Sequence, residues 1–438
     1  VADGSMDGCR MIVTLGEAVA GTCGGKAGAL GALLRAGLPV PDGFVVPFAV
    51  HREFVRDPAD AARREIEGRP LDPAVLGALT RALGDLGDPP VAVRSSAAHE
   101  DTGLASAAGQ HESFLAVRGT DQVADAVRAC WASLFSPRAV GYRGDDGPPP
   151  ADLAMAVLVQ RLLDADVSGV MFTPGSPDEP TEIEASWGLG PSVVGGTVTP
   201  DAYRVAASGQ VTARVVADKR TRLDRRGGRL VTSEVPADDR RRPTLDDATA
   251  TRLAELGARI AGVFGGPQDI EWAIADGRVW ILQSRPITAA LPTQNSATSH
   301  ASAPHAPTAG TTHDGSAGTP GAVLSGTPGS RGSVTGAARI VRGPADFARV
   351  RPGDVLVCPF TDPAWTPLLR IAAGVVTETG GVLSHAAIVA REYAIPAVLG
   401  IPDATRRLRD DTLITVDGSA GTVTAGTITT GTVATAIE

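Results

Sequence analysis

The sequence predicts an α+β body over residues 1–290, a flexible linker at 291–320, a small α/β domain at 321–425 and a tail at 426–438. Residues 291–320 are mostly Ala, Thr, Ser, Pro, Gly and His, with Asp314 the only charge and Leu291 the only large aliphatic. Such a stretch buries too little surface to offset ordering entropy, so it is expected to be flexible, with a reach of about 30 Å root-mean-square and roughly 100 Å when stretched. Before it, helical periodicities mix with strand patterns. After it, short strands alternate with Gly/Pro turns and helices. A chain of 438 residues is long enough for two to four domains, and 43% hydrophobic residues suffice for real cores.

In the first block, residues 27–36 form a short helix pattern closed by Gly37 and Pro39. Segments 91–94, 113–117, 154–160, 168–173 and 182–187 read as strands, and 121–134 and 246–263 as amphipathic helices. Segments 269–275 and 279–285 flank Asp276-Gly277, a strong hairpin signal. In the second block, 338–341, 355–357, 375–377 and 413–416 read as strands.

Composition narrows the function. The net charge of −9 runs against a protein that neutralises nucleic-acid phosphates. No apolar run approaches a membrane span and no secretory pattern opens the chain; Val1–Ser5, ahead of Met6, are set aside. Four cysteines without CxxC spacing fit a reducing cytoplasm better than a zinc site or a disulfide framework. His300, His305 and His313 read as solvated linker residues.

Several segments carry chemistry. Gly24-Gly25-Lys26 precedes a helix, where glycines let backbone N–H groups approach a phosphate and lysine adds a point charge; a bland helix start with a surface lysine fits equally well. Arg94-Ser95-Ser96 ends a strand and is followed by a loop of small residues, then Gln110 and Ser113. Arginine offers a bidentate phosphate fork, and an edge strand with a solvated arginine is the alternative. In the hairpin, Glu271 and Gln283 are polar among apolar neighbours, and a carboxylate with an amide oxygen suits Mg²⁺. A strict two-residue loop pairs 271 with 282 and puts Glu271 and Gln283 on opposite faces. Sharing a metal requires 271 opposite 283 and 269 opposite 285, so a loop one residue longer is expected, with Gly277 at positive φ. Finally, Thr377-Glu378-Thr379-Gly380-Gly381-Val382-Leu383-Ser384-His385 puts a double-glycine turn and a candidate N-cap ahead of a histidine in a first helical turn. That position favours an anion on a nucleophilic imidazole, although an ordinary capping or buried histidine remains open there.

Together these segments resemble the family of phosphoenolpyruvate synthase, pyruvate phosphate dikinase and rifampicin phosphotransferase. In the first block the resembling stretches are GGKAGALGALLRAGLPVPDGFVV, VAVRSSAAHEDTGLASAAGQHESFLAV, ASLFSPRAVGYR, EASWGLGPSVVGGTVTPDAY and DIEWAIADGRVWILQSRPIT. In the second they are GTPGSRGSVTGAARIV, GDVLVCPFTDPAWTPLL and TETGGVLSHAAIVAREYAIPAVLGIPDA. The resemblance implies an ATP-grasp domain binding ATP and Mg²⁺, followed by a swivelling phosphohistidine domain. It implies that His385 takes the β-phosphoryl of ATP, leaving AMP, and carries it to an acceptor. Lys26 and Arg94 would hold ATP phosphates, with Gln110 and Ser113 at the phosphate-covering loop. Glu271 and Gln283 would bind the metal, Arg285 would lie beside the phosphates, and Gln160 and Glu184 would line the nucleotide pocket. His99 departs from the family pattern, and Cys358 reads as a packed small residue.

No acceptor-binding domain is recognisable. The expected activity is therefore an AMP-forming phosphotransferase acting on a hydroxyl of a small molecule, with an antibiotic or specialised metabolite as one class. The alternative is a phosphohistidine carrier that passes its group to a separate acceptor protein or subunit. Neither nucleic acid nor membrane is expected as a partner.

Overall fold

A computed structural model describes residues 10–55, 63–98, 113–136, 139, 153–287 and 323–425. These fall into two compact units, one formed mainly by 10–287 and the other mainly by 323–425. The sequence-derived linker at 291–320, the tail at 426–438, Gln110, His99 and the three linker histidines lie outside the described residues.

The first unit contains two antiparallel sheets. The five-stranded sheet runs β1-β2-β5-β3-β4, where β1 is Val13–Thr14, β2 Gly43–Val46, β3 Val91–Ala97, β4 Ser113–Val117 and β5 Met155–Arg161. The six-stranded sheet runs β13-β12-β6-β7-β8-β9. Its strands are β6 (Val167–Phe172), β7 (Thr181–Trp187), β8 (Asp201–Val205), β9 (Val211–Val215), β12 (Gln268–Ala275) and β13 (Arg278–Pro286). A separate hairpin, β10 (Thr221–Arg226) with β11 (Arg229–Glu234), turns through Gly227 and Gly228, both at positive φ. Its charged strands, β10 half-buried and β11 exposed, lack apolar alternation, which is why periodicity alone does not find it.

One helix ties both sheets together. Helix α1 (Ala20–Arg35) sends Ala27, Leu30 and Leu33 into a core shared with Leu158 of β5 and with Met171, Ile183, Tyr203 and Trp272 of the six-stranded sheet. The helix Asp247–Phe264 packs Leu253, Leu256 and Ile260 into the same core. It starts where the Asp246 carboxylate accepts from Thr249 N at 2.8 Å and stops at left-handed Gly265. A second core, on the other side of the five-stranded sheet, packs Val75, Leu79 and Leu83 of Pro73–Asp85 with Val123, Val127 and Trp131 of Thr120–Ser133.

The second unit is an eight-stranded sheet, β14-β21-β20-β16-β17-β18-β19-β15. Its strands are β14 (Val323–Ser325), β15 (Thr327–Ser330), β16 (Ser333–Ile340), β17 (Val355–Cys358), β18 (Gly374–Thr377), β19 (Ala397–Leu399), β20 (Leu413–Asp417) and β21 (Thr422–Ala425). The central run β16-β17-β18-β19 is parallel, and the short strands β17, β18 and β19 are almost wholly apolar, as strands covered on both faces must be. Cys358 is fully buried, and desolvation, with Glu378 nearby, pushes its thiol pKa up. No helix among the described residues is long and apolar enough to cross a membrane.

Two buried polar features set the stability of the first unit. Lys219 and Asp201 form an ion pair at 2.5 Å with both side chains fully buried. The aspartate also accepts from Ala217 N, Thr244 N and Thr244 Oγ1, so its lone pairs are used. His51, in the helix Phe48–Phe54, is 1% exposed and sits edge-on to Trp131 at 5.7 Å. Neither of its ring nitrogens has a hydrogen-bond partner among the described residues. Burial, with Arg52 adding to it, pushes its pKa down to about 4. An unfolded chain takes up this proton near pH 6.5, well before the folded one does, so stability is full above that pH and falls as acid is added. Urea denaturation at pH 7.5 and pH 5 should show a loss of about 2 kcal/mol from this group, and His51→Leu should remove that component of the pH dependence.

Candidate functional site

Successive residues of a strand face opposite ways, so the register of the six-stranded sheet states which side chains share a face. Gln283, Glu271, Val170, Glu184 and Ala202 stand in one cross-strand row. Two residues along, on the same face, come Arg285, Asp269, Phe172, Glu182 and Arg204. The intervening row of Ser284, Ile270, Met171, Ile183 and Tyr203 points to the core. One face is thus apolar and the other carries paired charges: Arg285 with Asp269 at 2.8 Å and Arg204 with Glu182 at 2.9 Å. Desolvation raises the Glu182 pKa, and Arg204 opposes the shift.

The hairpin reaches the expected register by a different route. Glu271 does pair with Gln283 and Asp269 with Arg285, and Gly277 has φ 68°. The loop, however, is the strict two-residue turn, with Ala275 opposite Arg278 and both Asp276 and Gly277 at positive φ. The extra residue is a bulge instead: Trp272 pairs with Ile281, leaving Leu282 without a partner in β12. Asp-Gly suits both central positions of a type I′ turn and so favours the short loop; the unpaired residue moves into the strand.

Arg94 of β3 comes to this bulge. Its Nη1 donates to the Leu282 carbonyl at 2.8 Å, and its Nη2 donates to Gln283 Oε1 at 2.6 Å and to Glu271 Oε2 at 3.2 Å. Directly across the strand pair from Arg94 stands Ser113, at the exposed start of β4.

Lys26 is attached to the same strand. Gly24 breaks the α-helical path inside α1 with φ 79° and ψ 167°, a conformation essentially confined to glycine. A Cβ there would lie 2.1 Å from the Ser96 carbonyl oxygen. Ser96 Oγ donates to Cys23 O at 2.8 Å and accepts from Ala27 N at 3.1 Å, which holds the kink against β3. Lys26 Nζ then donates to Ser95 O at 3.2 Å, beside Arg94. Ser96 as a clamp is invisible to periodicity, since its role depends on a contact across 73 positions. Gln160 is buried, with Nε2 donating to Pro41 O at 3.1 Å, and Glu184 is buried on the polar face.

His385 opens the helix His385–Glu392, directly after Ser384, and Gly380 takes φ 104° in the turn before it. His385 Nδ1 lies 3.0 Å from Thr361 Oγ1. The turn is laced down on both sides. Glu378 N and Thr379 N donate to Pro359 O, and Glu378 Oε1 accepts from Thr405 N and Oγ1 at 2.9 and 2.6 Å. Arg391 Nη1 donates to Val382 O at 2.8 Å and Gly329 O at 3.0 Å. Thr361 lies in a quoted sequence stretch but carries no signal of its own in the sequence.

Among the described residues, no group of three or more His, Cys, Asp and Glu side chains could hold a metal by itself. Glu271 and Gln283 nevertheless fit a magnesium ion. They are two hard oxygen donors opposite each other, too few for a closed cage and suited to an ion that shares phosphate and water ligands.

Residues 55–305 match the family described as pyruvate phosphate dikinase, AMP/ATP-binding domain, and residues 350–421 match the PEP-utilising enzyme, mobile domain. A probable phosphoenolpyruvate synthase from Methanothermobacter thermautotrophicus is 38% identical over 444 residues, covering 93% of this chain and 62% of that protein. One from Archaeoglobus fulgidus is 36% identical over 434 residues, covering 91% of this chain and 56% of that protein. The chain therefore spans less than two thirds of the length of these relatives. Among solved structures, a D-alanine-D-alanine ligase from Coxiella burnetii aligns with a TM-score of 0.27 at 11% identity, over 61% of this chain and 48% of that one.

Gly24→Ala should cost about 3 kcal/mol, since the methyl group meets the β3 backbone and the backbone angle becomes strained. Urea denaturation measures this. Gly21→Ala, a few residues away with open space around it, should cost nothing comparable.

Proposed function

The chain belongs to the family of pyruvate phosphate dikinase and phosphoenolpyruvate synthase, and from that membership we propose that it moves the β-phosphoryl group of ATP to His385 and then to an acceptor. Its fold is accordingly an ATP-grasp domain followed by the mobile domain of PEP-utilising enzymes. The observation that carries the proposal is the imidazole of His385 at the start of a helix, its Nδ1 bonded to Thr361 Oγ1.

For Nε2 to be the nucleophile, its lone pair must be free and the ring proton must sit on Nδ1. A Thr361 oxygen that accepts from Nδ1–H selects that tautomer. Nε2 then forms the N–P bond to the β-phosphorus while the bond from that phosphorus to the oxygen retained by AMP breaks. The γ-phosphoryl group is passed to water or phosphate. The first N–H groups of the helix at His385 favour the anion that results. In the first unit, Lys26, Arg94 and Arg285 are the cations assigned to the polyphosphate, Ser113 stands opposite Arg94, and Glu184 faces the same side of the sheet as Glu271. A magnesium ion held by Glu271 and Gln283 supplies charge neutralisation of the polyphosphate when bound. Gln110 is assigned with Ser113 to the loop over the phosphates, and Gln160 to the pocket wall.

The relatives are named for phosphoenolpyruvate, so the acceptor we infer is the enol oxygen of pyruvate rather than an antibiotic hydroxyl. Incubation with β-labelled ATP should give AMP and an acid-labile label on the protein, and adding pyruvate should move the label to phosphoenolpyruvate. His385→Ala should abolish AMP formation with ATP binding kept within about threefold, and Thr361→Val should slow it about tenfold. Full turnover in His385→Ala would overturn the phosphohistidine route. Label that stays on the protein with pyruvate, and leaves only when a second protein is added, would replace the pyruvate reading with the carrier reading.

A further inference from the structure

We propose that Arg94 occupies the divalent-cation ligands in the nucleotide-free protein, so that the cation binds only together with a polyphosphate that draws the guanidinium away. The inference rests on Glu271 and Gln283 being the protein's cation ligands, as assigned above.

Two arginines lie near the hairpin, and they are held differently. Arg285 has a carboxylate of its own: Asp269 bonds it from the opposite strand position, and both side chains are nearly buried. Arg94 instead shares its carboxylate, Glu271, with the assigned cation site. Its hydrogen bonds go to the Leu282 carbonyl and to the two side chains that the cation requires. Glu271 and Gln283, in turn, have no other side-chain polar partner among the described residues.

Arg94 and a cation compete for these atoms. The amide oxygen lone pair that accepts from Nη2 at 2.6 Å is not directed at a metal. An ion bound at about 2.1 Å from the same oxygens would also stand within roughly 4 Å of a guanidinium carrying the same sign of charge. The carbonyl of the bulged residue fixes the guanidinium in this pose. Release needs a better partner, and a phosphate offers the same two N–H groups a bidentate, fully charged acceptor. Once Arg94 moves onto phosphate, both oxygens are freed for the metal. Cation and polyphosphate therefore promote each other's binding by one common factor, as linkage demands. The fold thereby selects the metal–nucleotide complex over either component.

Mn²⁺ titration of the full chain, read by the loss of the free-ion paramagnetic resonance signal beyond the loss seen without protein, tests this with and without a non-hydrolysable imido analogue of ATP. In the wild type, Mn²⁺ should bind at least tenfold more tightly when the analogue is present. Arg94→Met should bind Mn²⁺ alone at least tenfold more tightly than the wild type does. Arg94→Lys, which keeps the charge, should gain less than threefold. If the Met variant does not fold by thermal melting, Arg94→Gln gives the same readout. The proposal is overturned if the folded variants lacking the charge bind Mn²⁺ alone no more tightly than the wild type, while Glu271→Gln abolishes the analogue-supported binding. If Glu271→Gln leaves Mn²⁺ binding unchanged in every background, the ligand assignment fails and this proposal fails with it.

Discussion

The site depends on a carbonyl group with no strand partner. Leu282 is an extra residue in β13, and Arg94 Nη1 takes its oxygen. The insertion has a second effect. It turns Gln283 and Arg285 to the face that carries Glu271 and Asp269, whereas unbroken pairing from the Asp276-Gly277 turn would turn them toward the core. A single added residue thus creates the acceptor for one cation and aligns the oxygen donors beside it. The side chain of Leu282 plays no part in this alignment and packs instead against the small cluster of Ala165, Leu189 and Ala273.

Much of the architecture was legible because it follows from burial. The amphipathic helices, the apolar strands and the hairpin around Asp-Gly all announce themselves by period and turn chemistry, and the helix Asp247–Phe264 carries its cap at Asp246 and its stop at Gly265. The register of the hairpin was legible from a functional requirement, that Glu271 face Gln283, while the device that achieves it was not. Loop length and bulge give the same pairing at 271, and only the preference of Asp-Gly for a two-residue turn separates them. The β10–β11 hairpin was missed because β10 is charged and half-buried along its length and β11 is exposed, so neither alternates.

The contacts that sequence could not supply are those made by small polar residues over long separations. Ser96 reaches Cys23 and Ala27 of α1, and Thr361 reaches His385; each is one hydroxyl among many in the chain. Their counterparts, Gly24 and His385, were singled out in the sequence as a phosphate approach and a nucleophilic ring, each beside an ordinary structural reading, and the kink at Gly24 was not foreseen. In the turn before His385 the pattern repeats. Glu378 and Arg391 lie within the recognisable motif, but their work is to hold backbone at Thr405, Val382 and Gly329.

The ion pairs of the first unit divide into two kinds with respect to the surrounding electrolyte. Lys219 and Asp201 are sealed inside the six-stranded sheet, beyond the reach of counterions. The arginines of the β10–β11 hairpin and its neighbours meet their carboxylates at partly open positions, as Arg225 does with Asp164 and Arg240 with Glu234. Concentrated salt screens the second kind and leaves the first intact. A brine that loosens the hairpin therefore leaves the Lys219–Asp201 pair at the start of β8 in place.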